Sequence, residues 1–574
     1  MALFKDRRSD LEKQEGFKFG LEQGLTLTSV ILLAIIVVIP VSMIILNTFW
    51  DAEGHLDLAT FWNVIVRADN LKAIKNTVVI SLSATVGCAL IGVFFAWLLG
   101  RSDIPAKGLM RTLFSIPFMI PPFLGAMCWD LMLSGRSGYV NKLLMSLFHL
   151  ENAPFNINSI GGIIFVEIIY FFSFVYLQVI SSLERMDPTL EESARIAGAD
   201  QMYVIRKITL PLMVPSISAG VLLVLISTLS HYGVPSIMGF SQNIYTLPTK
   251  IVERMYAAGG SFEGIREATA LSVLLVVIVA AALVAQRAVL NVGRYDIIKG
   301  KSMRPTLIKL RGARIPLLIV CIIFLILVVI VPLVVLVLVS LLKAYGLPIV
   351  KENLSFINYT KVFAQKSVMQ AIKNSLFLSV SAGIICLFLG VMVAYVVYKV
   401  KPRGRGIIEM LAVLPYSLPG TVLSIGVILA WSGKIFGIRL YNTIWIILVA
   451  YCARYLSYTL KSSASALQQV HYSLEEASRS CGATKMGALM DITLPLIRPA
   501  MVSGFFMVFL PAMRELTTSV LLYGPKSRTL GVQIYQLREN GYMCQAAALA
   551  AVTIVIIIVS NKVVEFITKD RKGV

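Results

Sequence analysis

The side chains in this sequence that could do chemistry fall into two sets, and neither is a catalytic constellation. The first is a polar cluster that occurs twice. Glu191, Glu192, Ala194, Arg195 and Gly198 recur as Glu475, Glu476, Ser478, Arg479 and Gly482, 284 positions later. The surrounding segments Leu183–Ile217 and Leu467–Met501 agree at 14 of 35 positions, and each carries an Ile-Thr-Leu-Pro-Leu run. Such a duplicated polar loop between apolar stretches suits a pair of docking sites for something outside a membrane. The second set is ionisable groups stranded within apolar stretches: Asp130, Glu167, His231, Arg454 and the adjacent Arg514 and Glu515. Desolvating a charge there is costly, so these groups are expected to line a polar pathway or to bond between helices. At the same offset Glu515 matches His231, which places the two at one depth. His231, Arg514, Glu515 and Asp130 are the candidate pathway residues.

Other chemistries find little support. The four histidines (His55, His149, His231 and His471) have no paired spacing, and the seven cysteines form no CxxC or Cys/His cluster. Neither a catalytic site, a zinc site nor a disulfide framework is indicated, and no metal ligands are assigned. No G-x-x-x-x-G-K-[ST] phosphate loop occurs, so the chain is not expected to bind ATP itself.

The elements that position these residues are membrane spans. The chain is 574 residues long, 57% hydrophobic and 14% charged. Apolar runs of about 20 residues, enough to cross a bilayer as helices, recur along it. They lie near 25–48, 75–99, 112–134, 160–182, 214–237, 267–290, 315–342, 374–398, 407–431, 442–463, 497–522 and 544–567. Unpaired strands cannot cross lipid, so the expected fold is an all-α polytopic membrane protein of about twelve spans. The first run lacks a small-residue cleavage site and reads as a retained helix.

The net charge of +21 is concentrated where spans emerge. Arg287, Arg294, Lys299, Lys301, Arg304, Lys309, Arg311 and Arg314 lie between the sixth and seventh runs; Lys399, Lys401, Arg403 and Arg405 follow the eighth. With twelve spans these fall on one side with both termini and both polar loops, which the positive-inside bias makes cytoplasmic. The charge orients the chain in the bilayer and does not indicate nucleic acid.

The duplication reaches beyond the loops. Ala73–Thr77 matches Ala371–Ser375, and Gly92, Ala96, Pro117 and Pro121 match Gly390, Ala394, Pro415 and Pro419, all at an offset of 298. Six spans separate equivalent points, so the halves are parallel six-span repeats related by an axis along the membrane normal. The change from 298 to 284 places extra residues in the outer loop around Arg136–Ser159. The expected division is a cytoplasmic segment 1–24, a first half 25–291, a basic linker 292–314, a second half 315–568 and a tail 569–574. The proline pairs are expected to interrupt the third and ninth spans.

Thr189 and Ser473 each begin an S/T-x-x-E pattern, which predicts a capped short helix, and Gly198 and Gly482 follow where a left-handed turn would end it. Helix, glycine turn and helix make a compact knob. These two motifs, each followed at fixed distance by Leu-Pro, resemble the EAA loop of ABC-importer permeases, here at 184–213 and 468–497, and the resemblance covers essentially the whole chain. It implies a fused, two-half, type I importer permease, a transport subunit without enzymatic activity. It also implies a bacterial inner-membrane location and two copies of a separate cytoplasmic ABC ATPase that binds ATP and Mg. An extracytoplasmic solute-binding protein completes the implied assembly. Glu191, Glu192, Ala194, Arg195 and Gly198 would form one ATPase contact, and Glu475, Glu476, Ser478, Arg479 and Gly482 the other. His231–Pro235, Arg514–Thr518 and Thr529–Leu537 resemble ferric-iron-type fused permeases; thiamine, polyamine, sulfate and phosphonate permeases are relatives. An ion-coupled secondary transporter is the competing class, and parallel repeats with a docking loop argue against it.

Overall fold

The computed structural model describes residues 20–51, 53–257, 261–292, 307–433 and 437–569. Most of the expected N-terminal segment, most of the basic linker and the tail beyond 569 lie outside these residues. Among the described residues the chain is helical, with isolated bridges and no strand ladder.

Among the described residues, twenty of the helices pair in order between the two halves. In the first half these are α1 (Glu22–Phe49), α2 (Ala68–Arg101), α3 (Lys107–Met119), α4 (Pro122–Leu133) and α5 (Ile160–Arg185). Then come α6 (Thr189–Ile196), α7 (Gln201–Leu229), α8 (Gly233–Gly239), α9 (Leu247–Ala257) and α10 (Phe262–Gln286). The second half repeats them as α11 (Arg311–Leu341), α12 (Lys366–Val400), α13 (Arg405–Ser417), α14 (Gly420–Trp431) and α15 (Ile444–Gln469). It closes with α16 (Tyr472–Ser480), α17 (Lys485–Met513), α18 (Ser519–Leu522), α19 (Leu530–Glu539) and α20 (Met543–Val563).

Among the described residues nine helices are long and apolar enough to cross a membrane, or eleven spans if each of two bent pairs counts as one. The remaining expected segment is α15, a 26-residue helix that carries Arg454 and Lys461 and is not among the nine. The third and ninth segments are not straight: α3 and α4 meet at 93°, α13 and α14 at 113°. Proline explains both. Pro121 and Pro419 donate no backbone hydrogen bond, and they force the preceding Ile120 and Leu418 into extended backbone.

Two further boundaries differ from the sequence reading. The fifth and eleventh spans end at Leu229 and Met513, not near 237 and 522. His231, Arg514 and Glu515 therefore sit in short non-helical breaks beyond the helix ends. Five-residue π-helical turns, Ile205–Thr209 and Leu489–Thr493, precede Pro211 and Pro495. A proline leaves one upstream carbonyl unpaired, and the wider turn absorbs that defect.

Each half is built on a three-helix core, α2/α5/α7 and α12/α15/α17. The first helices bridge the halves: α1 packs on α14 of the second half as well as on α10 of its own, and α11 on α4 of the first half as well as on α20 of its own. Gly426 permits the α1–α14 contact, because a Cβ there would lie 2.6 Å from the Pro40 carbonyl oxygen. The inserted residues near 136–159 form a short helix, Tyr139–Phe148, rather than open loop.

Candidate functional site

The two knobs form as expected in outline but start differently. Pro188 and His471 occupy the N-cap positions, not Thr189 and Ser473. Asp187 Oδ1 accepts from the Thr189 amide at 2.9 Å, and His471 Nδ1 accepts from the Ser473 amide at 3.3 Å. The N-caps therefore lie one and two residues before the hydroxyls that the expected capping boxes would use, and the Glu192 and Leu474 amides donate to the Pro188 and His471 carbonyls. The ends agree with the sequence reading. Gly198 and Gly482 have φ of +90° and +93°, a left-handed turn that glycine adopts without strain. In both copies the next amide reaches back to the helix: Ala199 N to Ala194 O at 3.0 Å, Ala483 N to Ser478 O at 3.1 Å.

The paired glutamates have separate tasks. Glu191 and Glu475 are buried and face the bundle, so they are not available to a partner. Thr209 Oγ1 donates to Glu191 Oε1 at 2.7 Å, and Thr493 Oγ1 to Glu475 Oε1 at 2.6 Å. A cation from the end of α2 or α12 completes the latch. Arg101 Nε stands 3.7 Å from Glu191, and Lys399 Nζ stands 3.4 Å from Glu475. The same latch therefore recurs at the same repeat positions. Gly198, Glu476, Arg479 and Gly482 are exposed, while Glu192, Ala194, Arg195 and Ser478 are half-buried. Arg195 turns Nε and Nη2 inward without an acceptor.

The ionisable groups beyond α7 and α17 meet at a cavity of about 240 Å³ where the bent pairs of the two halves converge. The first half lines it with Phe118, Tyr170, Phe171 and His231; the second supplies Tyr455, Tyr458, Arg454, Arg514 and Glu515. His231 and Glu515 share this cavity, but each bonds within its own half. His231 Nδ1 lies 2.7 Å from Glu167 Oε1, while Glu515 accepts from Tyr455 OH at 2.5 Å and from the Thr518 amide at 2.8 Å. Arg514 crosses the interface. Its Nη1 donates to the carbonyls of Phe118 (2.8 Å) and Met119 (3.1 Å), the unpaired C-terminal acceptors of α3.

Asp130 is not a member of this site. Its carboxylate takes Arg538 Nη2 at 2.8 Å and Asn158 Nδ2 at 3.1 Å, an ion pair between the halves away from the cavity lining. Arg538 is the partner the sequence did not reveal. Beside it, a second cavity of about 630 Å³ opens between α9 and α19, lined by Tyr232, Tyr256, Tyr523, Tyr535, Glu253 and Glu539. Burial pushes the Tyr535 hydroxyl up to about 12, so it stays protonated near neutrality.

The signature of the family described as "Binding-protein-dependent transport system inner membrane component" matches residues 89–293 and 386–571, one copy in each half. The chain belongs to this family. Membership makes it a transport permease subunit of the ABC-importer type, and the two matched stretches establish the fused arrangement. The ferric transport system permease protein FbpB of Actinobacillus pleuropneumoniae is 24% identical over 566 residues, 98% of this chain and 80% of that protein. A putative FbpB of Haemophilus influenzae is 24% identical over 521 residues, 90% of this chain and 80% of its own. A putative 2-aminoethylphosphonate permease protein, PhnU of Salmonella typhimurium, is 29% identical over 216 residues, 38% of this chain and 75% of its own. A solved bacterial alginate ABC transporter, in complex with an alginate-bound periplasmic protein, aligns at TM-score 0.35 and 20% identity over 44% of this chain and 94% of its own.

Proposed function

We propose that this permease is driven by two copies of a separate ATPase, seated on α6 and α16, and that an extracytoplasmic binding protein loads it from the other face. The carrying observation is the duplicated latch. Each knob is tied by a buried carboxylate to the cation at the end of α2 or α12, so a push on the knob reaches the core through an ion pair. The outer faces of the knobs are left for a partner. Ile196 is 88% exposed, a large apolar side chain that an ATPase groove would cover. ATP binding would favour one packing of the halves over the other, and the central cavity would open alternately to each side. The knobs and both termini then lie in the cytoplasm of a bacterial inner membrane. ATP and Mg belong to the partner, and this chain uses no cofactor.

For the solute, ferric iron is favoured by two relatives that run nearly the length of the chain. A small phosphonate is the second reading, favoured by the two guanidinium groups at the cavity, Arg454 and Arg514. Uptake of labelled ferric citrate and of 2-aminoethylphosphonate by cells with and without this chain decides between them. Loss of iron uptake alone on deletion supports iron. Iron uptake that continues undiminished removes that assignment and leaves the permease.

A further inference from the structure

Each half opens with a span, α1 or α11, whose far end runs into a loop closed by one antiparallel bridge. Trp50 pairs with Leu56 in the first half and Leu342 with Leu354 in the second. The next residue donates its amide across each loop in the same way, Asp51 N to His55 O and Lys343 N to Asn353 O, both at 3.0 Å. The two loops are one structural element made twice, and their charges are reversed. The first carries Asp51 and Glu53, and the Glu53 side chain is 81% exposed. The second carries Lys343 and Lys351, both exposed, with Glu352 beside them.

The lysines continue beyond the loop. Lys361 lies on the short helix Ile357–Ala364, Lys366 and Lys373 on the first turns of α12, and Lys526 on the loop before α19; all are exposed. Asn358 Nδ2 donates to the carbonyls of Ser340 (2.9 Å) and Leu342 (2.7 Å), which ties the short helix to the end of α11. The Lys526 carbonyl accepts from Gln370 Nε2 (2.9 Å) and Asn374 Nδ2 (3.0 Å), which ties that loop to α12. The result is one shelf on which Glu352 is the single acid among these lysines. Among the described residues none of the lysines makes an ion pair.

The first half balances its charges at the same level. Arg266 pairs with Asp57 at 3.0 Å, Lys250 with Asp69 at 3.2 Å, and Arg67 with Glu267. Where the first half has the Arg67–Glu267 pair, the second has a neutral bond, Gln365 Nε2 to Gln545 Oε1 at 2.8 Å. The lysine shelf is therefore peculiar to the second half.

The chain enters α11 beside the first latch, where Ile308 N donates to Arg101 O at 2.8 Å. The other end of α11, with the shelf, lies on the face away from the knobs. Lysine and arginine are normally gathered on the cytoplasmic face, so an uncompensated patch on the opposite one needs a reason. A bilayer surface is the same around both halves and gives no reason for charge to reverse between equivalent loops. A folded partner that spans both halves and carries unlike charge at its two ends does, because like charges penalise the reversed seating.

We propose that the two loops orient the extracytoplasmic binding protein: an acidic part of its docking surface sits on the lysine shelf, and a basic part sits on Asp51 and Glu53. The inference rests on the importer reading and adds which way round the partner docks and what charge it brings.

The test takes the binding protein that supports solute accumulation by the reconstituted chain and titrates it onto the full-length chain in lipid nanodiscs, at low and high salt. Lys351→Glu with Lys361→Glu should weaken binding about tenfold or more, chiefly by slowing association, and should flatten its dependence on salt. Glu53→Lys should also weaken it, while Lys351→Arg with Lys361→Arg should leave it unchanged. Lys526→Glu, on a separate element, keeps the test decisive should the double variant fail to fold. Retention of phosphatidylglycerol by the detergent-solubilised chain is measured alongside. Affinity unchanged in the glutamate variants would overturn the proposal, whether the lysines then hold phosphatidylglycerol or gather an anionic solute. Affinity that rises in Glu53→Lys would overturn it too. Accumulation that still needs the binding protein in those cases keeps the importer reading. Accumulation that needs no binding protein removes that reading and this proposal together.

Discussion

Replacing Glu191 by glutamine removes the charge from the first latch while keeping an acceptor for Thr209. Arg101 is fully buried, and its Nε, Nη1 and Nη2 have no hydrogen-bond acceptor. Glu191, at 3.7 Å, is the carboxylate that balances it. Breaking a buried pair from one side costs about 3–5 kcal/mol, because the remaining charge stays desolvated. The separation is longer than a good hydrogen bond, so the lower end applies. About 3 kcal/mol corresponds to roughly a hundredfold rise in local opening. The amides of residues 189–196 should then exchange with deuterium about a hundredfold faster in Glu191→Gln than in the parent, measured on the detergent-solubilised chain. Arg101→Met combined with Glu191→Met should restore most of that protection, since a well-packed apolar pair can replace a buried ion pair at little cost. Unchanged exchange in Glu191→Gln, or a double variant no better than either single one, would refute the latch as the tie between knob and bundle.

Further outcomes follow from the same geometry. Arg514→Gln frees the carbonyls of Phe118 and Met119 and should loosen the contact between halves by about 1.5–3 kcal/mol; reactivity of a cysteine placed at Ser417 reports the gain in access. Asp130→Asn removes the ionic partner of Arg538 at the edge of the tyrosine-lined cavity, and the thermal midpoint should fall, with recovery in Asp130→Glu. Gly198→Ala and Gly482→Ala force a left-handed turn on alanine, at about 1 kcal/mol each. Exchange should rise within the altered knob while the spans keep their protection.

The bundle was legible because apolar runs of span length admit few alternatives, and the bends at Pro121 and Pro419 follow from missing donors. The latch was half legible. Arg101 and Lys399 match at the 298 offset, and Thr209 and Thr493 at 284, but the capping-box pattern drew attention to the hydroxyls of Thr189 and Ser473. Pro188, with its fixed backbone, and His471 start those helices instead, and the first glutamate of each pair turns inward. Contacts across the interface were not legible. Arg514 meets Phe118 across 396 positions, and at the equivalent place in the first half stands Ser230, which has no charge to pair. Asp130 read as a pathway residue because its partner, Arg538, lay outside the apolar runs.

Import powered through both knobs is measured most directly with the chain, its ATPase and its binding protein reconstituted in liposomes. Solute accumulation should require ATP. Glu192→Ala with Glu476→Ala should leave hydrolysis running while accumulation stops. Normal accumulation by that double variant, or uptake without any ATPase that collapses with the proton gradient, would contradict it.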